Sequence, residues 1–219
     1  PLLSVSAAAR HNLQRVAAIR VLLIEDNPAD VRLVWEMFLE LGAERFELQH
    51  TDRMSSGLVH LEREHFDALL LDLSLPDSRG LEGVERILAQ VPTIPIVVLT
   101  GLDDERTSLT ALEHGAQDYL VKGQVGADLL ARTLRHAIER KNAELVLRES
   151  EQRYRDLFAE SLGLICVHDV VGLLFAVNPA GAAQLGYTPD ELIGRNMREL
   201  VAPRFQSQFD DYLDRIRQQ

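Results

Sequence analysis

The alternation of short apolar runs with helix-like segments constrains the fold of this chain more than any other sequence feature. In the first helical segment, Val31, Val34 and Phe38 share a face, and Gly42 ends the pattern. Strands that are apolar throughout and alternate with helices are typical of a parallel sheet covered on both faces. We therefore predict an α/β fold with a doubly wound, five-stranded parallel sheet. The predicted strands lie in residues 20–26, 46–52, 66–80 (with a Pro- and Gly-marked loop at its end), 94–101 and 118–123, and the predicted helices cover 27–42, 54–64, 81–90, 105–115 and a segment that begins near Ala127.

The acidic charge is confined to this α/β segment. Residues 19–126 contain 20 acidic and 9 basic residues, which accounts for the whole net charge of -11, and the rest of the chain is neutral. This balance argues against direct binding of nucleic acid and suits a site that binds a cation. Lysine is scarce, since only Lys122 and Lys141 accompany 21 arginines.

Several protein classes are excluded by composition. The single cysteine, Cys166, cannot form an internal disulfide, and its apolar surroundings predict a place in a core. No apolar run approaches the ~20 residues that a membrane helix needs. Residues 1–18 lack the features of a signal peptide and are interpreted as a linker or an expression-derived segment. We therefore expect a cytoplasmic location without membrane partners.

Chemically useful side chains follow four of the five predicted strands. Glu25 and Asp26 end the first strand, Asp72 the third, Thr100 the fourth and Lys122 the fifth. Each one alone has an ordinary explanation as a helix cap, a strand residue or a solvated charge. Together they converge on the crevice where doubly wound sheets bind ligands. Crowded carboxylates favour a hard cation such as Mg²⁺. Asp72 could then act as a nucleophile that forms an acyl phosphate, while Thr100 and Lys122 hold phosphoryl oxygens.

The predicted fifth helix is unusually long, because residues 127–160 contain neither Pro nor Gly. Apolar and then polar residues recur along it at spacings of four and three. This weak seam predicts a two-stranded coiled coil and hence a homodimer, although a solvated connecting helix is the alternative. The seam consists of Leu134, Ile138, Lys141, Leu145, Arg148 and Gln152.

A different pattern follows Leu162. Two apolar runs, GLICVHD and GLLFAVN, are joined by a DVVG turn and predict a β-hairpin. Thr188 followed by Pro189 predicts the start of a helix.

Residues 20–140 resemble a response-regulator receiver domain of two-component signalling. The resemblance rests on LLIEDN, LLLDLSLPDSRG, VVLTG and DYLVKG, in this order and at the family's spacing. It implies a flavodoxin-like sheet of strand order 2-1-3-4-5 and a cognate histidine kinase or phosphotransfer protein as partner. A departure is Gly123, which stands where the family usually has Pro, so the family's cis peptide bond there is in doubt. The site residues that the resemblance implies are Asp72 as phosphoacceptor; Asp26, Asp72, the Ser74 carbonyl and, mostly through water, Glu25 as the Mg²⁺ site; and Thr100, Tyr119 and Lys122 as phosphate-binding and switch residues.

Residues 149–219 resemble the first half of a PAS domain, through VNPAG and LGYTPDELIG. The motif implies an α+β fold and names no ligand or cofactor. Because the family's last three strands are absent, we expect either a truncated domain or a half-domain that another chain completes.

Together these observations predict a receiver at 19–126, its last helix continuing as a coiled-coil linker at 127–160, and a partial PAS domain at 161–219. The leading hypothesis is Mg²⁺-dependent phosphorylation of Asp72, coupled through the long helix to the PAS module. The alternatives are a degenerate receiver that serves as a dimerisation or docking scaffold for a PAS ligand sensor, and a fragment of a hybrid histidine kinase. An aspartyl-phosphate phosphatase would need a general acid at position 74, and Ser74 is a poor acid, so this enzyme class is disfavoured. No separate enzyme activity is expected beyond phosphorylation and dephosphorylation of Asp72.

Overall fold

Five parallel strands form the central sheet of the computed structural model, which describes residues 18–101 and 110–218. The sheet order is β2-β1-β3-β6-β7, which confirms the predicted order 2-1-3-4-5 because β6 and β7 are its fourth and fifth strands along the chain. The short strands β4 and β5 form an antiparallel hairpin directly after β3. The strands are β1 (Ile19–Ile24), β2 (Phe46–Thr51), β3 (Ala68–Asp72), β4 (Ser74–Leu75), β5 (Ser78–Arg79), β6 (Ile96–Thr100) and β7 (Asp118–Val121).

Helices follow the strands as the periodicity predicts. The helix predicted at residues 105–115 lies partly outside the described residues, and residues 110–113 are helical. No helix in the described part of the chain is both long and apolar enough to cross a membrane. The helices of this part are α1 (Pro28–Leu41), α2 (Met54–Arg63), α3 (Glu82–Gln90), α4 (residues 110–113) and α5 (Ala127–Glu160).

The sheet separates two apolar layers, because alternate residues of a strand point to opposite faces. In β1, Val21 and Leu23 pack in the layer covered by α1 and α5, whereas Leu22 and Ile24 pack in the layer covered by α2, α3 and Ala111 of α4. All four β1 side chains are completely buried. Burial on both faces explains why these strands are apolar throughout. Only residues at the strand ends can therefore contact solvent or a ligand.

The start of α2 is capped from a distant part of the chain. Its own N-cap residue, Arg53, makes no side-chain cap hydrogen bond. Instead the backbone N–H groups of Met54 and Ser55 donate to the two carboxylate oxygens of Asp77, at 2.9 and 3.0 Å. Burial alone raises the pKa of Asp77, but the hydrogen bonds from Ser55 and Met54 outweigh it and lower the pKa to about 2. The β4–β5 hairpin, which carries Asp77 between its strands, is thereby held against α2.

The predicted coiled-coil seam is wrong in its first half. Leu134 is completely buried and Ile138 is partly buried, and both pack against the core layer beneath α1 and α5. Lys141 is buried as well. These side chains were assigned to a seam because a helix that covers a sheet and a helix in a coiled coil share the same spacing of apolar residues. These three side chains therefore cannot form a seam with a partner chain.

The chain divides into two compact units, and the second begins at Val146 within α5. It contains the predicted hairpin, followed by short helices. Thr188 and Glu191 form a capping box, which confirms the predicted helix start. The small core consists of Leu174, Val177, Ala182 and Leu192, and Cys166 is half-buried beside it. The elements of this unit are β8 (Cys166–His168), β9 (Leu174–Val177), α6 (Pro179–Gln184), α7 (Pro189–Leu192), 3₁₀ turns at Met197–Glu199 and Pro203–Phe205, and α8 (Gln206–Arg217).

A fully buried asparagine fixes the segment between α5 and β8. The Asn178 side-chain oxygen accepts from the Ile165 N–H at 2.8 Å. Its Nδ2 donates to the carbonyls of Ser161 and Gly163 at 3.0 and 2.9 Å. One side chain therefore provides hydrogen-bond partners for three backbone groups that lie outside the strands.

Candidate functional site

The carboxyl edge of the sheet gathers the side chains that the sequence singles out there. Asp72 and Thr100 are the last residues of β3 and β6, whereas Glu25 and Lys122 follow β1 and β7 within one residue. The four strands are parallel and adjacent in the order β1-β3-β6-β7. Their carboxyl ends therefore meet at one edge of the sheet, where open α/β sheets bind ligands.

Lys122 is the centre of the charged cluster. Its ammonium lies 2.6 Å from Glu25 Oε2, 3.0 Å from Asp30 Oδ2 and 3.1 Å from Asp72 Oδ1. Burial alone lowers the pKa of Lys122, but the bonds to Glu25 and Asp30 and the charge of Asp72 raise it well above its usual range. Lys122 is therefore a permanent cation in contact with three carboxylates.

Glu25 is the most deeply buried carboxylate of the cluster, with a completely inaccessible side chain. Burial is the main reason that its pKa is raised, and Lys122 opposes this effect. The Asn27 backbone N–H donates to Glu25 Oε1 at 3.1 Å. His50 Nε2 contacts the Glu25 backbone carbonyl at 2.8 Å, which requires the proton on Nε2 because a carbonyl only accepts.

The carboxylates fit a hard divalent cation. Oxygens of Glu25, Asp26 and Asp72 lie within 4.8 Å of one another, and Asp26 is exposed to solvent while the other two are buried. Such oxygen donors, open to water on one side, are the ligands that Mg²⁺ prefers. Ser74, whose carbonyl the resemblance implies as a further ligand, is exposed at the start of β4, two residues beyond Asp72.

Thr100 presents an unused donor at the same edge. Thr100 is 3% exposed, and its Oγ1 has no hydrogen-bond partner among the described residues. The Thr100 backbone carbonyl accepts from the Lys122 N–H at 2.8 Å, which ties β6 to the end of β7. A buried hydroxyl without a partner is costly, so it suits a site that receives an oxyanion.

Tyr119 lies apart from this cluster. It is opposite Val98 rather than Thr100 in the β6–β7 register, and it packs partly buried in the layer beneath α2 and α3. The described contacts of the charged cluster do not include it. The peptide bond between Lys122 and Gly123 is trans, and the φ of Gly123 is +78°, a left-handed conformation that glycine adopts without strain.

Sequence reasoning missed Asp30, Asn27 and His50. Asp30 lies in the first turn of α1 and contacts Lys122 across the site. Asn27 caps α1 by accepting from the Ala29 N–H at 3.0 Å, and it contacts both Glu25 and Asp30. The position of Asp30 was a usable signal, because a helix that starts directly after β1 places its first turn at the carboxyl edge.

The model of the response regulator receiver domain family matches residues 21–134, which is more than half of the chain. The chain belongs to this family. The match contains the whole charged cluster, including Asp30, and it ends within α5.

Among the curated relatives of this receiver, the cell cycle response regulators CtrA of Brucella ovis and Brucella canis are both 34% identical over 124 residues. The alignment covers 57% of this chain and 51% of each relative, so the chain spans about half the length of the curated relatives it matches.

Solved structures agree with the receiver fold. NtrX from Brucella abortus, in complex with ADP, is 25% identical with a TM-score of 0.54, over 60% of this chain and 29% of that one. A receiver domain protein from Clostridium thermocellum is 25% identical with a TM-score of 0.50, over 57% of this chain and 97% of that one. A response regulator from Chloroflexus aurantiacus, at 21% identity and a TM-score of 0.51 over 56% and 98% of the two chains, shows the fold alone.

Proposed function

We propose that this receiver accepts a phosphoryl group on Asp72 in a two-component phosphorelay. The observation that carries the proposal is the contact of the Lys122 ammonium with Asp72 Oδ1, beside two further carboxylates that could share a divalent cation with Asp72. The donor would be a cognate histidine kinase or a phosphotransfer protein.

Each group has a role that follows from its position. An Asp72 carboxylate oxygen attacks phosphorus, and the new P–O bond makes an acyl phosphate while the bond from phosphorus to the donor atom breaks and the donor leaves with the electron pair. Lys122 can pair with a phosphoryl oxygen because its ammonium already lies beside Asp72. The free Thr100 hydroxyl can donate to another phosphoryl oxygen. Glu25, Asp26, Asp72 and the Ser74 carbonyl would hold Mg²⁺, which supplies positive charge for an anionic donor.

The direct test is the intact mass of the protein after incubation with acetyl phosphate and Mg²⁺. We expect a gain of one phosphoryl group in the wild type and no gain in Asp72→Asn. Equal uptake by both proteins would reject Asp72 as the acceptor. No uptake by the wild type, together with no Mg²⁺ binding at millimolar concentration, would favour the scaffold alternative.

We also propose that the receiver signals along α5 to a partial PAS domain. The proposed organisation has a receiver at 19–126, a helical linker at 127–160 and the PAS part at 161–219, preceded by a linker at 1–18. The hairpin with its following short helices supports the assignment of the PAS part. The proposed switching face comprises α4, β7 and α5, and inward movement of Thr100 and Tyr119 on phosphorylation would alter it. We expect the protein to act in the cytoplasm.

The second half of α5 supports a homodimer. Leu147, Tyr154 and Leu157 are 62%, 60% and 67% exposed. Leu147 and Tyr154 are seven residues apart, and Tyr154 stacks on Phe158 with ring centroids at 6.0 Å. This spacing is typical of a coiled-coil contact, and we place the dimer seam here rather than at Leu134.

Cysteine cross-linking tests the seam. In a Cys166→Ser background, Leu147→Cys should form an intermolecular disulfide, and Glu149→Cys, which lies on the other side of α5, should not. The cross-linking rate at Leu147→Cys should change on phosphorylation. A rate that ignores phosphorylation would contradict signalling along this helix.

A further inference from the structure

Asp30 gives the site a carboxylate with no part in the roles proposed above. Its Oδ2 accepts from two donors, Lys122 Nζ at 3.0 Å and Asn27 Nδ2 at 3.0 Å. The side chain is 26% exposed, so the carboxylate is held at the mouth of the site and not inside it. It lies in the first turn of α1, at the N-terminal end of the helix.

The position of Asp30 makes its charge effective at the phosphoacceptor. Asp30 Oδ2 and Asp72 Oδ1 both contact Lys122 Nζ, at 3.0 and 3.1 Å, and are therefore no more than about 6 Å apart. At that distance a unit charge is within the screening length of physiological salt, which is about 8 Å. Among the described residues of the cluster, four carboxylates face one ammonium.

We propose that Asp30 is a specificity-determining residue that selects phosphodonors by their charge; this inference rests on the proposed phosphorylation of Asp72. An anionic donor that approaches Asp72 is repelled by Asp30 in proportion to the donor's own charge. Asp30 also engages one N–H of Lys122 that would otherwise be free to meet the donor. The site therefore disfavours donors with a high negative charge.

The donors that Asp30 favours carry phosphorus on a protonated nitrogen. Phosphoramidate at neutral pH is a zwitterion of net charge -1, whereas acetyl phosphate is a dianion. In transfer from phosphoramidate, the P–N bond breaks as the P–O bond to Asp72 forms, and ammonia leaves with the electron pair. In transfer from acetyl phosphate, the P–O bond of the donor breaks as the bond to Asp72 forms, and acetate leaves with the electron pair. Phosphohistidine on a partner protein also carries its phosphorus on nitrogen, and its net charge equals that of phosphoramidate when its second ring nitrogen is protonated.

The test compares Asp30→Asn with the wild type on these two small donors at saturating Mg²⁺. Removal of the charge should raise the rate of phosphorylation about tenfold with acetyl phosphate and about threefold with phosphoramidate. Both increases should shrink at an ionic strength of about 0.5 M. Calorimetric titration should show Mg²⁺ binding weakened about threefold, which is a readout independent of phosphoryl transfer.

Glu40→Gln is the matched control. It removes the same charge from the exposed face of the same helix, about 15 Å along its axis from Asp30, and should change neither rate. If Asp30→Asn does not fold, Asp30→Ser retains an acceptor for Asn27 and Lys122 without the charge.

Equal effects on the two donors, a slower reaction, or unchanged Mg²⁺ affinity would each overturn the role of Asp30. In those cases the wild type still takes up phosphoryl on Asp72, so the proposed function survives. If the wild type takes up none from either donor, the proposed function fails and the role of Asp30 fails with it.

Discussion

Replacement of Asp77 by alanine should destabilise the first unit by removing the cap of α2. The carboxylate accepts from the Met54 and Ser55 N–H groups, and the helix has no side-chain cap of its own. The lowering of the Asp77 pKa from 3.8 to about 2 sets an upper limit of roughly 2.5 kcal/mol on its contribution. Screening at a half-buried carboxylate brings the expected loss at pH 7 to about 1–2 kcal/mol.

The loss should depend on pH in a defined direction. The pKa of Asp77 is lowered in the folded state, so its stabilisation is complete above the unfolded value near 4 and disappears as the pH falls towards 2. At pH 3 about half of the difference between wild type and Asp77→Ala should remain. In Asp77→Asn the amide oxygen still caps the helix, so the loss at pH 7 should be smaller than in Asp77→Ala. The contribution of the amide does not titrate, so the difference from wild type should narrow as the pH falls towards 2.

Urea denaturation followed by Trp35 fluorescence measures this difference. Trp35 is the single tryptophan and lies in α1, so it reports on the first unit alone. Asp52→Ala is the control, because Asp52 is an exposed acid just before α2 and its loss should cost less than about 0.5 kcal/mol. A difference below about 0.3 kcal/mol for Asp77→Ala, or one that is the same at pH 7 and pH 3, would refute the assignment of the cap.

Three further substitutions test other parts of the fold. Asn178→Ala should destabilise the second unit by about 1–3 kcal/mol, because three part-buried hydrogen bonds to the backbone are lost; hydrogen exchange at residues 161–165 should accelerate while the Trp35 transition stays unchanged. Gly57→Ala should destabilise the first unit by about 1–3 kcal/mol in urea denaturation, although alanine favours helices, because its Cβ would collide with the Ile24 side chain; a gain in stability would show that Ile24 can move aside. Tyr154→Ser should raise the dissociation constant of the proposed dimer about tenfold in sedimentation equilibrium, without a change in the Trp35 transition; an unchanged constant would contradict the proposed seam.

The sheet was predictable because a strand that is buried on both faces has apolar residues at consecutive positions. Val21, Leu22, Leu23 and Ile24 are apolar without alternation, and the acids after them mark the strand end. The same logic placed Asp72, Thr100 and Lys122 at one edge of the sheet. Local sequence patterns are sufficient to predict these features, because the end of each apolar run marks the end of a strand.

Long-range pairings were not predictable in this way. Asp77 caps a helix that begins 23 residues earlier, and Asp30 meets Lys122 across 92 residues. No local pattern encodes such partners, because they depend on how loops and helices pack after the sheet has formed. The predicted seam on α5 was wrong at Leu134 and Ile138 for a related reason: these residues have the spacing of a coiled coil, but they pack in the core of their own chain.

The two lysines are both screened from solvent, with side chains 19% exposed at Lys122 and 9% exposed at Lys141. Amine-reactive reagents and lysine-specific proteases thus have little access to either lysine in the folded chain. Because Lys141 lies within α5, only four residues before the first unit ends, cleavage there requires the helix to unravel locally. Digestion by a lysine-specific protease at this bond would therefore report on the integrity of the helix that joins the two units.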